Sequence, residues 1–295
     1  LIDFVTQIGF YLSLIPAHLT DEDTKHPDED TSFLLRRGSD VMEVTEAEHN
    51  AIDQAYEKII QMKRDGYESD KNDIIVLLNG KKINLTAHWD GTVNAFHWSN
   101  DGKKIYFTAA VMGTVHLFEI ELPKSANKFA LMQPQPKQIT NGQFDIRGIV
   151  GHVDQTMIVG RGDMNHATEL YAIDLSSSKM KQLTHANDDV YKNLTLGNVE
   201  RRITRATDGA DLHSWVIYPP NFDPNKKYPT LLYCQGGPQG ALSQFYSYRW
   251  NFQLMAANGY IIIAPNRRGM PGYGVEWNEQ ISTNYGGQNM DDYLS

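Results

Sequence analysis

Leu231-Leu232-Tyr233-Cys234-Gln235-Gly236-Gly237-Pro238-Gln239-Gly240 is the stretch on which the reading of this chain turns. An apolar run enters a glycine pair and a proline, so a strand predicted to be buried ends abruptly in a tight backbone turn. A second apolar run, Tyr260-Ile261-Ile262-Ile263-Ala264-Pro265, ends in Asn266-Arg267-Arg268-Gly269, and the stretch from Ser243 to Asn258 between the two runs is predicted to be helical. Two strand-like runs around a helix are the sequence form of a βαβ unit. In an open α/β sheet chemistry gathers where the strands end, so the Gln-Gly-Gly-Pro turn is the leading candidate for a site.

The 295 residues, 41% apolar and 11% aromatic, suffice for one large or two smaller domains with a packed core. The net charge of −9 is uneven. Residues 1–62 hold 13 Asp and Glu against 4 Lys and Arg, whereas the remainder is balanced. No basic patch points to nucleic acid, and the acidic excess reads as a solvated extension. Asp21, Asp23, Asp28 and Asp30 lack the glycine and distal glutamate of an EF-hand, and the ten histidines show no metal-ligand spacing, so neither metal nor cofactor is expected. Cys234, alone, cannot form an intramolecular disulfide and is predicted to be a buried structural thiol. Phe4 to Leu19 is broken by Thr6, Gln7, Ser13 and Pro16, which fits neither a signal peptide nor a membrane span. With Leu1 in place of Met, the sequence is read as internal to a longer gene product. Periplasmic or secreted and cytoplasmic locations both stay open. The tripeptide Arg161-Gly162-Asp163 and the Asn84 and Asn193 glycosylation patterns carry no weight by themselves.

Residues 20–32 are polar and read as loop. Thr45-Glu46-Ala47-Glu48 has the form of a capping box, with Ile52, Ala55, Tyr56 and Ile59 on one face, and predicts a helix from about Glu46 to Met62. After Gly66 the texture changes to short strands and turns, among them Asn79-Gly80 and Asn100-Asp101-Gly102-Lys103. Runs ending in Leu85-Thr86, Ile139-Thr140 and Leu183-Thr184 recur at an interval of roughly 40–50 residues, the mark of propeller blades. The predicted organisation is an acidic, partly helical extension over 1–65, a partial β-propeller of about three blades over 66–198, and an α/β portion over 199–295.

Tyr228-Pro229-Thr230-Leu231-Leu232, Gly236-Gly237-Pro238, Arg268-Gly269 with Gly272-Tyr273-Gly274, and Gly286-Gly287 followed by Asp291-Asp292 occur in that order. In this the chain resembles the prolyl oligopeptidase family of serine peptidases, particularly its dipeptidyl-peptidase and acylaminoacyl-peptidase branches. Asp65 to Lys71 and the Ser99 to Lys103 hairpin are similar to the propeller of the same branch. The resemblance runs from about residue 63 to the end. It implies an all-β propeller followed by the N-terminal part of an α/β-hydrolase domain, with acyl transfer by a Ser-Asp-His triad whose serine sits on a Gly-x-Ser-x-Gly elbow. No such elbow occurs here, so the triad is expected beyond Ser295 and the chain alone is expected to be inactive. The resemblance leaves Gln235 and Gly236 as oxyanion-hole candidates. Arg268 either supports the active-site loops or forms a surface or interdomain ion pair, and Tyr273 is expected to pack the loop rather than touch substrate. Peptide substrate, no cofactor and no membrane span follow, and the family allows a homodimer of the full-length protein. The alternative in another class is a non-catalytic propeller that binds a protein partner through its blade faces. An unrelated esterase or lipase of the α/β-hydrolase fold is a third reading.

Overall fold

In a computed structural model of the chain, residues 33–37, 40–44, 57–60, 69–78, 81–123, 134–237 and 239–295 are described. Alternating β-branched and aromatic residues separated by Gly-containing turns produce antiparallel strands through most of the first two thirds. Phe33–Arg37 (β1) and Asp40–Val44 (β2) form a hairpin. Glu57–Ile60 (β3), Asp73–Leu78 (β4) and Lys81–Asn84 (β5) form a three-stranded unit. The helix expected over Glu46–Met62 is therefore absent at Glu57–Ile60, where Ile59 pairs with Ile74 across β4. Cross-strand pairing there outweighs the helical spacing; the rest of that prediction, the acidic loop of 20–32 and the Asn79-Gly80 turn lie outside the described residues.

Two four-stranded units follow. The first is built from Val93–Trp98 (β6), Lys104–Val111 (β7), Thr114–Glu121 (β8) and Lys137–Gln138 (β9), the second from Asp145–Val153 (β10), Thr156–Gly162 (β11), Glu169–Asp174 (β12) and Met180–Gln182 (β13). The repeated threonines explain the periodicity physically. The backbone N–H groups of Leu85, Ile139 and Leu183 donate to the carbonyls of Ile74, Leu117 and Leu170. In return the hydroxyls of Thr86, Thr140 and Thr184 accept from the N–H groups of those same three residues, at 3.0, 3.0 and 2.8 Å. Each threonine thus stands in for a backbone carbonyl at the end of a strand pair, which neither Ser nor Val does while also packing a methyl group. Ile105, Phe107, Phe118 and Ile120 fill the space between the first two units, and Leu117, Ile146, Met157 and Val159 that between the next two.

After the short helix Asp188–Tyr191 (α1) the chain forms a four-stranded sheet in the order β14-β15-β17-β16, from Val199–Arg205 (β14), Asp211–Ile217 (β15), Thr230–Leu232 (β16) and Ile261–Pro265 (β17). β16 and β17 are parallel and joined through Phe252–Ala257 (α2), as the βαβ reading required. That helix is six residues long, not the Ser243–Asn258 expected. Asn251 caps it by accepting from Leu254 N–H, and the residues before it form an irregular strap. The predicted burial of the Leu231-Leu232 strand also fails. Leu231 and Leu232 are 40% and 44% exposed, because β16 is an edge strand among the described residues.

The strap is irregular because its polar groups bind the repeats. Buried Asp145, opening β10, accepts from Ser243 Oγ at 2.6 Å, Gln244 N–H at 3.1 Å and Val115 N–H at 2.9 Å. Burial pushes its carboxyl up to about 6, with the three donors working against that rise. Trp215 reaches across the same seam and donates its indole N–H to the Gly113 carbonyl at 3.1 Å. Asp145→Ala strands three buried donors and should destabilise the chain by about 3 kcal/mol in urea unfolding. His116 supplies a pH-dependent test. Burial first, then Arg201, lowers its pKa from 6.5 to about 4, so its contribution is complete above pH 6.5 and is lost as pH falls towards 4. The stability difference between wild type and His116→Asn should therefore shrink by about 2 kcal/mol between pH 7 and pH 4. A difference that stays constant would place a charged histidine in the fold.

Candidate active-site wall

The Gln235–Gly240 turn follows β16, and its geometry depends on glycine: Gly237 has φ 70°, a left-handed conformation that side chains disfavour. Its first residue is held from behind by the segment that follows β17. Arg267, buried two residues past the end of β17, donates through Nη2 to the Gln235 carbonyl at 3.4 Å, through Nε to the Tyr293 hydroxyl at 3.1 Å and through Nη1 to the Arg268 carbonyl at 2.6 Å. At the far end Gln239 Nε2 donates to the Asn278 carbonyl at 3.0 Å. Between these anchors Gly236 is exposed, and its N–H makes no hydrogen bond among the described residues. Gln235 is half-buried, with its side-chain oxygen buried and unpaired among them.

Cys234 precedes this turn and is exposed, not the buried thiol expected. It shares the open edge of β16. Arg268 is neither at the surface nor between domains. Its backbone N–H donates to Asp292 Oδ2 at 2.8 Å, its guanidinium pairs with Asp292 and Asp208, and it lies 4.6 Å over the Trp277 ring. The helix Gln288–Leu294 (α4) turns Asp292 inward while Asp291 stays exposed. Val275–Glu279 (α3) brings Trp277, whose indole N–H donates to the Arg267 carbonyl at 3.1 Å. Tyr273 packs between His213 and Trp277, with ring centroids 5.2 and 6.0 Å apart, and burial pushes its phenol far above the usual range.

The geometry thus brings Gln235, Gly236, Arg267 and Arg268 together, with Tyr273 one layer towards the repeats. Sequence reasoning assigned no role to Asp292, Asp208, Trp277 or Tyr293. Asp291-Asp292 was visible as a pair, but only the phase of α4 separates the buried acid from the exposed one. Among the described residues no three His, Cys, Asp or Glu side chains converge to hold a metal, and no helix is long and apolar enough to cross a membrane.

Comparison with known proteins places these features. Residues 246–295 match the profile of the prolyl oligopeptidase family, and residues 30–212 match that of the dipeptidyl peptidase IV (DPP IV) N-terminal region. The latter match opens ahead of residue 63, where the sequence motifs begin. Dipeptidyl-peptidase 5 of Porphyromonas gingivalis is 43% identical over 238 residues, covering 80% of this chain and 33% of its own length. Probable dipeptidyl-peptidase 5 of Aspergillus clavatus is 31% identical over 240 residues, covering 80% and 32%. The chain therefore spans about a third of the curated relatives it matches. Among solved structures, Pyrococcus horikoshii acylaminoacyl peptidase superposes with a TM-score of 0.65 at 21% identity, over 89% of this chain and 40% of that one. Porphyromonas gingivalis dipeptidyl peptidase 4 gives 0.53 at 18% identity, over 71% and 29%. These likenesses support a propeller joined to an α/β-hydrolase sheet.

The arginine network makes a stability prediction. The Asp292 side chain is fully buried beside Arg268, whereas Asp208 is 44% exposed. Asp292→Ala leaves a buried guanidinium short of its main partner and should cost about 3–5 kcal/mol in urea unfolding. Asp208→Ala, whose ion pair faces solvent, should cost about 1 kcal/mol or less. Equal losses would contradict this hierarchy.

Proposed function

This chain belongs to the prolyl oligopeptidase family, and on that premise we propose that it is part of a serine peptidase that hydrolyses short peptides, of the dipeptidyl or acylaminoacyl type. One observation carries the reading: the Gln235–Gly237 turn ends a parallel strand with Gly236 N–H unpaired among the described residues, while Arg267, itself bonded to Tyr293, pins the residue before it. Negative charge on a scissile carbonyl oxygen appears only in the transition state. A donor already aimed at that oxygen therefore lowers the barrier without tightening the ground state, by about 3 kcal/mol. In this proposal Gly236 N–H is that donor and the Gln235 side-chain amide the second. Arg268, locked to Asp292, and Tyr273, wedged against the repeats, support the neighbouring loop.

The sequence contains no Gly-x-Ser-x-Gly elbow, so we place the Ser-Asp-His triad beyond Ser295 in the full-length protein and infer that this stretch alone is inactive. There the histidine would take the serine proton as the serine attacks the carbonyl, hand it to the departing amine as the peptide C–N bond breaks, and then activate the water that releases the acyl group in a second step. We read the three β-units as three blades of a propeller that restricts entry to short or unfolded peptides. Two experiments test this. A serine-directed fluorophosphonate should label the full-length protein and leave the 295-residue chain unlabelled; stoichiometric labelling of the latter would mean a nucleophile within it. In the full-length enzyme, Gln235→Ala should lower kcat by about 10²-fold with KM little changed. A loss below about tenfold would assign the work to the Gly236 N–H alone.

A further inference from the structure

The three β-units differ at one repeated position, and the difference lies beside a cavity. In the first and third units the residue before the threonine-binding position is a carboxylate. Asp73 accepts from the Thr86 hydroxyl at 2.7 Å, and Glu169 accepts from the Thr184 hydroxyl. In the middle unit the same position is His116, with Nδ1 3.2 Å from the Thr140 hydroxyl. By the pattern of its two counterparts, Nδ1 accepts here from the Thr140 hydroxyl. A neutral side chain therefore replaces an anion at this one position.

The positive charge that a carboxylate there would balance is still present. Arg201 of β14 and His116 line one cavity of about 400 Å³. Its neighbours on the strand are paired, Arg202 with Glu200 at 3.4 Å and Arg205 with Asp211 at 2.8 Å. Arg201 has no acidic partner among the described residues, and its guanidinium rests 5.1 Å over the Trp215 ring. Among the described residues no acidic side chain lines the cavity. Thr114, Gln138 and Asn141 provide polar wall, and Val111 and Ile139 provide apolar wall. None of the residues of the Gln235–Gly240 turn or of Arg267–Gly269 takes part, and β15 and β17 separate β14 from that turn's strand.

We infer that this cavity binds a small organic carboxylate, held by the Arg201 guanidinium with its apolar portion against Val111 and Ile139. A guanidinium offers a planar fork that matches a carboxylate, and the volume lies in the range of small-ligand sites. The site is distinct from the proposed catalytic wall and its test does not depend on peptidase activity.

N-acetyl-leucine and its uncharged amide, N-acetyl-leucinamide, are suitable probes, titrated into the 295-residue chain while tryptophan fluorescence is followed. The acid should bind saturably and perturb Trp215, and NMR should show the His116 pKa rising as the bound carboxylate offsets Arg201. The amide should bind at least tenfold more weakly. Arg201→Gln should weaken the acid at least tenfold. His116→Asp should do the same by supplying an internal carboxylate, while keeping an acceptor for Thr140. Equal binding of acid and amide, unchanged affinity in either variant, or saturable binding of inorganic phosphate but not of the acid would each overturn the assignment. Arg201 is exposed, so Arg201→Gln should keep the wild-type urea midpoint, and a normal midpoint with normal affinity would count against the site.

Discussion

A carboxylate sealed from water joins the two halves of this chain. Asp145 stands where β10 begins and receives hydrogen bonds from β8 and from two successive residues of the strap that leads to α2. With those acceptor sites occupied, the strap has little freedom to slide. Its position fixes α2, whose Gln253 bonds both the N–H and the carbonyl of Gly197, at 2.6 and 3.0 Å. α2 carries β16 and β17 into register, and β17 leads directly into the turn that bears the arginines. The seam closes further through a close backbone approach at Gly272, whose φ of 103° favours glycine. A Cβ on Gly272 would come 3.1 Å from the Ala110 carbonyl carbon. The α/β sheet is thus oriented by polar contacts of high specificity, with the apolar contacts filling in around them.

Much of the architecture was legible because its physics is local. The recurrence of Leu-Thr and Ile-Thr reported a real structural unit, a hydroxyl closing a strand pair, and the Asp101-Gly102 turn is held by Ser99 within the same few residues. The βαβ order could be read from two apolar runs. The failures share a cause. Glu57–Ile60 has helical spacing, yet its partner strand begins 13 residues further on at Asp73, and only that pairing decides its state. The Ser243–Asn251 segment looked helical because its commitment to Asp145 lies across 98 residues. Leu231, Leu232 and Cys234 looked buried because composition reports apolarity and not which side of a sheet is covered.

The site divides along the same line. Gln235 and Gly236 were legible as a turn that glycine demands. The machinery behind them was not, because Arg268 meets Asp292 at a separation of 24 residues and Asp208 at 60. No spacing rule connects charges so far apart. Arg267 and Arg268, adjacent in sequence, also do different work: one holds the turn and the other an ion network. The two lie in the turn that follows β17, where the backbone sends their side chains to different partners, so a doubled arginine serves two structures at once.

The exposed strand β16 has a consequence for motion. Among the described residues its three residues are hydrogen-bonded to β17 on one side only, so in this chain its amides should be the first in the sheet to exchange with solvent through local opening, well below the free energy of global unfolding. The Gln235–Gly240 turn is covalently attached to this least protected strand, yet its anchoring guanidinium belongs to the segment that follows the central one. A brief fraying of β16 can therefore leave the turn tethered to Arg267, so that the order of the wall is inherited from a neighbour's lifetime and not from its own strand's.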